Sequence, residues 1–198
     1  MTRTRILRAI DYPRMPWKNG GGSTEEITRA AGQDLDGFGW RLSIADIETS
    51  GDFSVFAGYQ RIISVIQGAG MTLDIDGVTS RPLLPSDPLA FSGDCQVSCA
   101  LLDGPIRDFN LIYAPQRYSA RLHWIDVRQP QRVFSSASIF LLFSVAEQIG
   151  VSVNVGAWEI LGRHDCLQVD NPGGLLEIEL QAPSASRCCL IELSALRA

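Results

Sequence analysis

The only lysine of the chain, Lys18, sits in the run Pro16-Trp17-Lys18-Asn19-Gly20-Gly21-Gly22-Ser23-Thr24. Consecutive glycines permit positive φ and close backbone approach, at an entropic cost on ordering. Their exposed N–H groups suit a carboxylate or another anion. Lys18 adds a point charge, Asn19 an amide, and Trp17 a flat apolar wall. The run is no phosphate-binding P-loop, because no Gly-Lys-Ser/Thr ending opens a helix. The alternative is a flexible surface loop with a chance lysine.

Three further groups carry polar chemistry. Arg41 and Ser43 alternate with Trp40, Leu42 and Ile44, so on a strand they share one face about 7 Å apart. Arg41 is solvent-exposed if the apolar face packs between sheets. It points into a lumen if the sheet closes on itself, and there it needs a partner such as a carboxylate ligand. Asp108 and Asn110 likewise share a face, with Phe109 on the other. They form either a structural hydrogen-bonding pair or a polar rim to a pocket, with Asp108 orienting an arginine or acting as acid/base. The third group is Gly51-Asp52-Phe53-Ser54-Val55-Phe56-Ala57-Gly58-Tyr59-Gln60-Arg61.

Composition narrows the function classes. The chain has 198 residues and a formal net charge of −5; its 17 basic residues are Lys18 and 16 arginines. It lacks the basic surplus of a nucleic-acid binder, and 45% hydrophobic residues with 20% charged ones describe a globular core rather than disorder. The N-terminus lacks the apolar run of a signal peptide, and Ile139 to Ala146 is too short to span a bilayer. Cys95, Cys99, Cys166, Cys188 and Cys189 are an odd set with two adjacent members, a poor disulfide framework. They read as reduced thiols in a cytoplasmic protein. His123 and His164 are each isolated, as ordinary surface or turn residues are. With no His pair and no Cys-x-x-Cys, no metal site and no cofactor is expected.

The elements that must position these groups are strands. Alternation or β-branched runs mark Arg3 to Ile10, Thr24 to Arg29, Phe38 to Ile44, Arg61 to Gln67, Met71 to Ile75, Leu89 to Phe91, Cys95 to Leu101 and Asp108 to Tyr113. Asp76-Gly77 is a hairpin turn. The second half repeats the style at Ser138 to Val145, Val151 to Val155, Trp158 to Leu161, Cys166 to Val169, Leu175 to Leu180 and Arg187 to Leu193. Short, evenly spaced strands predict an all-β sandwich or barrel. Helix is limited to turns around Ala114 to Tyr118 and Ser144 to Gln148, and Ala114 to Pro130 is the expected passage between two β halves.

A family pattern emerges from these segments. The first cupin motif has two His one residue apart, then a Glu, then a Gly after six more residues. Here Arg61 is followed by six residues and Gly68, while Ser54 and Phe56 occupy the His positions, so the frame resembles a cupin whose metal ligands are replaced. Arg in place of a carboxylate turns the preference from cation to anion. Phe91-Ser92-Gly93-Asp94 is similar to the turn of the second cupin motif. Together with the Trp17 and Arg41 segments and Asp108-Phe109-Asn110, the order and spacing over residues 10 to 113 resemble the HutD/Ves family. The departures, Ser23 and Gly39, are small.

The resemblance implies a cupin-like (RmlC-type jelly roll) bicupin, with an N-terminal half at 1–115 carrying the motifs and a C-terminal half at 116–198. It also implies an association with bacterial histidine utilisation, and no established catalytic activity. The expected function is metal-free binding of a small carboxylate, such as urocanate or formylglutamate, that modulates the pathway. The expected ligand-binding residues are Trp17, Lys18, Asn19, Gly20, Gly21, Arg41, Ser43, Phe53, Ser54, Phe56, Arg61, Asp108 and Asn110. Two other classes stay open. One is a metal-independent isomerase or hydrolase using Asp108, Lys18 or Tyr59, although no nucleophile–base pair is legible. The other is a protein-interaction module marked by Trp124 and Trp158. The expected partners are a small anionic ligand and, at most, a second copy of the chain, with neither nucleic acid nor membrane.

Overall fold

The computed structural model describes residues 2–17, 21–30 and 37–196. Nearly all regular structure is antiparallel strand. The chain opens with β1 (Arg3–Leu7) and a single 3₁₀ turn (Ala9–Asp11). It continues through β2 (Arg14–Pro16), β3 (Gly22–Arg29), β4 (Trp40–Ile47), β5 (Gly51–Asp52), β6 (Gln60–Gln67), β7 (Met71–Ile75), β8 (Val78–Thr79), β9 (Leu89–Ser92), β10 (Val97–Leu101) and β11 (Ile106–Tyr113). The remaining strands are β12 (Tyr118–Val127), β13 (Gln131–Ser135), β14 (Ile139–Ser144), β15 (Ile149–Val153), β16 (Glu159–Leu161), β17 (Cys166–Asp170), β18 (Leu176–Gln181) and β19 (Ser186–Ala195).

Two compact units divide the chain. One is Pro13–Arg117, with a six-stranded sheet ordered β2-β3-β4-β11-β6-β9 and a four-stranded sheet ordered β5-β10-β7-β8. The other is Tyr118–Ala198 together with Met1–Tyr12, and it holds sheets ordered β1-β17-β14-β19-β12 and β13-β18-β15-β16. The opening strand, counted with 1–115 from sequence, therefore pairs with the later half: Arg3 to Leu7 run antiparallel to Asp170 to Cys166. Ala114 to Pro130 also differs from expectation. It contains the ten-residue β12, paired along its length with β19, and no helix forms at 114–118 or 144–148. Asp76 and Gly77, with φ of 51° and 82°, make the anticipated β7–β8 hairpin turn.

Within Pro13–Arg117 the pleat explains where the polar groups go. Successive side chains alternate faces, so β4 presents Arg41, Ser43, Ala45 and Ile47 on one side and Trp40, Leu42 and Ile44 on the other. Register stacks the first set into rungs with β11 and β6: Arg41–Ile112–Arg61, then Ser43–Asn110–Ile63, then Ala45–Asp108–Val65. The rungs change from polar to apolar along the strands. Ala45, Ile47, Ile63, Val65 and Ile106 join Met71, Leu73, Val97 and Cys99 in one buried cluster. That closes one end of the unit as a dry core and leaves the Arg41–Ile112–Arg61 end to line a cavity.

The other unit packs Phe140, Leu142, Ile149, Val151, Leu167, Ile178 and Leu180 into an apolar core. All five cysteines are free thiols, and all but Cys95 are buried. Burial pushes the Cys166, Cys188 and Cys189 thiols up, Cys188 to about 12. His164 is a turn residue with φ 66°, but it is buried rather than exposed and stacks on Phe143. Among the described residues, no helix is long and apolar enough to cross a membrane.

Candidate functional site: an arginine-lined cavity

The cavity in Pro13–Arg117 has a volume of about 470 Å³, within the range of small-molecule sites. Its floor is the inner face of β4, β6 and β11, and its side wall is the loop between β5 and β6. That loop is pinned by backbone bonds to the turn after β9: Phe56 N donates to Gly93 O and Gly93 N to Tyr59 O, both at 2.8 Å. Gly58 N donates to Asp94 Oδ1 at 2.8 Å, and Phe53 N to Val97 O at 2.8 Å. A Cβ on Gly93 would lie 2.4 Å from Phe56 O, so only glycine allows this approach.

The loop holds its rings against the two cations. The Cζ of Arg61 lies 5.3, 5.4 and 5.0 Å from the ring centroids of Phe53, Phe56 and Phe91. The Cζ of Arg41 lies 5.3 Å from Phe38 and 5.2 Å from Phe56. Aromatic faces stabilise guanidinium groups without neutralising them. Neither arginine has an ion-pair partner within 4.0 Å among the described residues. Arg61 Nη1 donates to Ser54 O at 3.2 Å, while the buried Nε atoms of Arg41 and Arg61, and Asn110 Oδ1, have no hydrogen-bond partner among the described residues. Buried polar atoms are ordinarily satisfied, so these three carry a desolvation cost that nothing among the described residues offsets. Burial lowers both guanidinium pKa values, Arg61 to about 10, so each remains a cation at neutral pH.

Asp108 is 1% exposed and accepts a hydrogen bond from Ala45 N at 3.2 Å. Burial pushes its carboxyl up to about 7, against the pull of Arg61 and the Ala45 N–H, with Asp46 adding to the rise. Trp17 is held at the mouth by its Nε1 donating to Thr24 Oγ1 at 2.8 Å and its N donating to Gly22 O at 2.9 Å. Gly22 is required for close approach: a Cβ there would lie 2.1 Å from Asp46 O.

The structure thus brings Trp17, Arg41, Ser43, Phe53, Ser54, Phe56, Arg61, Asp108 and Asn110 around one cavity. Ser54 also fixes Arg61 through its backbone carbonyl. Gly21 lines a separate recess of about 30 Å³ with Ile47 and Thr49, not the main cavity. Lys18, Asn19 and Gly20 lie outside the described residues. Pro16, Thr24, Ala45, Asp52 and Ile112 also line it and extend it beyond the expected set. Ala45 and Ile112 follow from carrying the alternation of Arg41–Ser43 and Asp108–Asn110 one step further. Thr24 requires knowledge of strand pairing.

A cupin metal does not fit this donor set. Two cations and two phenyl rings occupy the cavity walls, and no three His, Cys, Asp or Glu side chains converge among the described residues.

The HutD family model matches residues 9–190. The chain belongs to the HutD family. It is 61% identical over 193 residues to the 21.2 kDa protein in the hutC 3′ region of Pseudomonas putida, covering 98% of each chain. It is 31% identical over 185 residues to protein Ves of Citrobacter koseri, covering 88% of this chain and 94% of that one. The solved structure of HutD from Pseudomonas fluorescens SBW25 superposes with a TM-score of 0.88 at 61% identity, over 98% of this chain and 100% of that one. A likeness at 11% identity to a bacterial pirin of Escherichia coli, with a TM-score of 0.70 over 98% of this chain and 100% of that one, shows the cupin-like fold alone. The cavity's arginines, phenyl rings and Asp108 all lie within the span that the HutD family model matches.

Proposed function

We propose that this HutD-family chain is a metal-free binding protein for small carboxylates, and that it modulates histidine utilisation by binding a pathway intermediate such as urocanate or formylglutamate. The observation that carries this reading is the pair of guanidiniums, Arg41 and Arg61, facing a cavity with no carboxylate partner within 4.0 Å among the described residues. An unpaired buried cation is costly, and a bound carboxylate removes that cost through charge-assisted hydrogen bonds. Ser43 and Asn110, opposite each other in register, supply directional contacts, and Trp17, Phe53 and Phe56 supply apolar walls. The link to histidine utilisation is supported by the relatives named HutD and in the hutC 3′ region. In the same reading each unit is one jelly roll and the chain a bicupin, in which Pro13–Arg117 carries the cavity and the other unit is filled by its apolar core.

Titration calorimetry with urocanate, formylglutamate and histidine tests the reading. Saturable binding of a carboxylate that lacks an α-ammonium, lost on Arg41→Met, is the expected result. Absence of binding by both urocanate and formylglutamate would overturn it, and turnover of either at substoichiometric protein would replace it with an enzyme.

A further inference from the structure

We propose that the cavity binds its carboxylate together with a proton, and that Asp108 takes that proton up. The inference rests on the carboxylate-binding reading and adds a second, linked ligand to the same site.

Asp108 stands on the cavity floor in the third rung, between Ala45 and Val65. The hydrogen bond to its carboxyl among the described residues is the one accepted from Ala45 N. Arg61 is the cation that faces it from β6, but no ion pair within 4.0 Å joins the two, and Arg61 Nη1 is directed at Ser54 O. From β4, Asp46 adds negative potential and Arg41 faces the shared cavity. From β10 the Cys99 thiol, itself pushed up by burial and by Asp108, brings no positive charge. From β5, Asp52 lines the rim. Arg61 and one backbone N–H therefore hold the ionised carboxylate against burial and Asp46.

An incoming anion changes this balance in one direction. It engages the guanidinium that favours ionised Asp108, and it places a second negative charge in the same low-dielectric space. Both effects favour the neutral carboxyl. Once protonated, Asp108 stops repelling the anion and becomes an O–H donor in a cavity also lined by Asn110 and the two arginines. Asp108 thereby becomes a specificity-determining residue, favouring ligands that present an acceptor oxygen to the floor. The carboxyl already titrates near 7 before an anion enters, so the exchange falls at neutral pH. The sign follows from linkage: because the bound state holds more protons, affinity falls as pH rises above 7, up to about tenfold per pH unit.

The test uses the full chain and two probes that are essentially fully ionised at pH 7 and 8, N-formyl-L-glutamate and glutarate. Calorimetry at pH 6, 7 and 8, each in two buffers of different ionisation enthalpy, reads the proton count directly. The expected result is proton uptake approaching one per ligand at pH 8, and a Kd about fivefold weaker at pH 8 than at pH 7. Asp108→Asn keeps an acceptor for Ala45 N–H and offers an N–H in place of the O–H. It should bind at pH 8 as tightly as the parent does at pH 6, with no proton exchanged. The parent's buffer comparison stands even if the variant fails to fold, and ¹³C-carboxyl NMR of labelled aspartate should show one midpoint near 7 that rises on ligand addition. Binding with buffer-independent heat would overturn proton linkage and leave carboxylate binding intact. No heat with either probe at any pH would overturn both.

Discussion

Arg41 and Arg61 are cross-strand partners of the same residue, Ile112, one from each side. Their backbones are thus two strand spacings apart, roughly 10 Å, and their guanidiniums converge on one ring, Phe56, at 5.2 and 5.4 Å. Without the ring, two like charges facing one cavity would splay toward solvent or seek carboxylates. With it, they stay charged, apart and aimed inward. The apolar Ile112 between them contributes no counter-charge, and Glu26 beside Arg41 and Asp108 beside Arg61 act on the pair without an ion pair within 4.0 Å among the described residues.

Arg61→Met should separate binding from stability. The side chain is 4% exposed, and burial disfavours its charge; with no ion pair within 4.0 Å to break, an apolar chain of similar volume removes that desolvation cost and leaves Asp108 neutral. Carboxylate affinity should fall about 10- to 150-fold, the equivalent of one charge-assisted contact of ~1.5–3 kcal/mol. The Tm should hold or rise. A scan of Tm beside a calorimetric titration checks both, and a large loss of Tm with unchanged affinity would make Arg61 a structural residue.

Phe56→Leu keeps an apolar group in the loop but removes the π face that both guanidiniums share. Each contact of this kind contributes about 0.5–2 kcal/mol. The expected outcome is a loss of affinity of roughly tenfold with a small change in Tm, since Phe56 is only partly buried. Phe56→Tyr, which retains the face, should bind as the parent does. Equal affinity for the leucine and tyrosine variants would dismiss the ring as a positioning element.

Much of this site is visible in the alternation of single strands. Arg41 with Ser43 and Asp108 with Asn110 each imply a shared face, and the Gly51–Arg61 spacing marks the loop that faces them. The frame into which they fit is harder to read, because register is a property of pairs of strands. Nothing local shows that Arg3–Leu7 pairs with Cys166–Asp170, far along the chain. Tyr118–Val127 alternates as Tyr, Ser, Ala, Arg, Leu, His and Trp, yet Pro115 and Pro130 at its flanks, with Arg121, His123 and Asp126 inside, make it resemble a linker. Its pairing with Ser186–Ala195 supplies what composition withholds. The bond from Arg61 to the Ser54 carbonyl is likewise invisible in the sequence, because every residue type carries that carbonyl.

Gly93→Ala probes the support of the loop from outside the cavity. The added Cβ would meet Phe56 O at 2.4 Å and Tyr59 O at 2.9 Å, both backbone atoms, so the loop must shift. Overpacking of this kind costs about 1–3 kcal/mol. Because Phe53 and Phe56 move with the loop, affinity should drop although Gly93 lines no part of the cavity. Unchanged binding, with the alanine variant's Tm equal to that of the parent, would show that the loop is not held by this approach.

Asp108 also sets how stability depends on pH. Its carboxyl titrates at about 7 in the folded chain, against an ordinary aspartate value of 3.8 in the unfolded one. The folded state therefore binds more protons than the unfolded state between those values. The stabilising contribution of the neutral carboxyl is complete below about pH 4 and is lost as pH rises toward 7. Keeping this buried group ionised at pH 8 costs on the order of a few kcal/mol, since each tenfold change in acidity corresponds to about 1.4 kcal/mol. Asp108→Asn cannot ionise, so it should match the parent below about pH 4 and exceed it in Tm by a margin that widens from pH 5 to pH 7 and holds at pH 8. Bound carboxylate should narrow the difference at pH 8, because a ligand that carries a proton in with it restores neutral Asp108 in the parent. Parallel Tm profiles for parent and variant from pH 5 to 8 would instead show that Asp108 ionises in the fold as freely as in the unfolded chain.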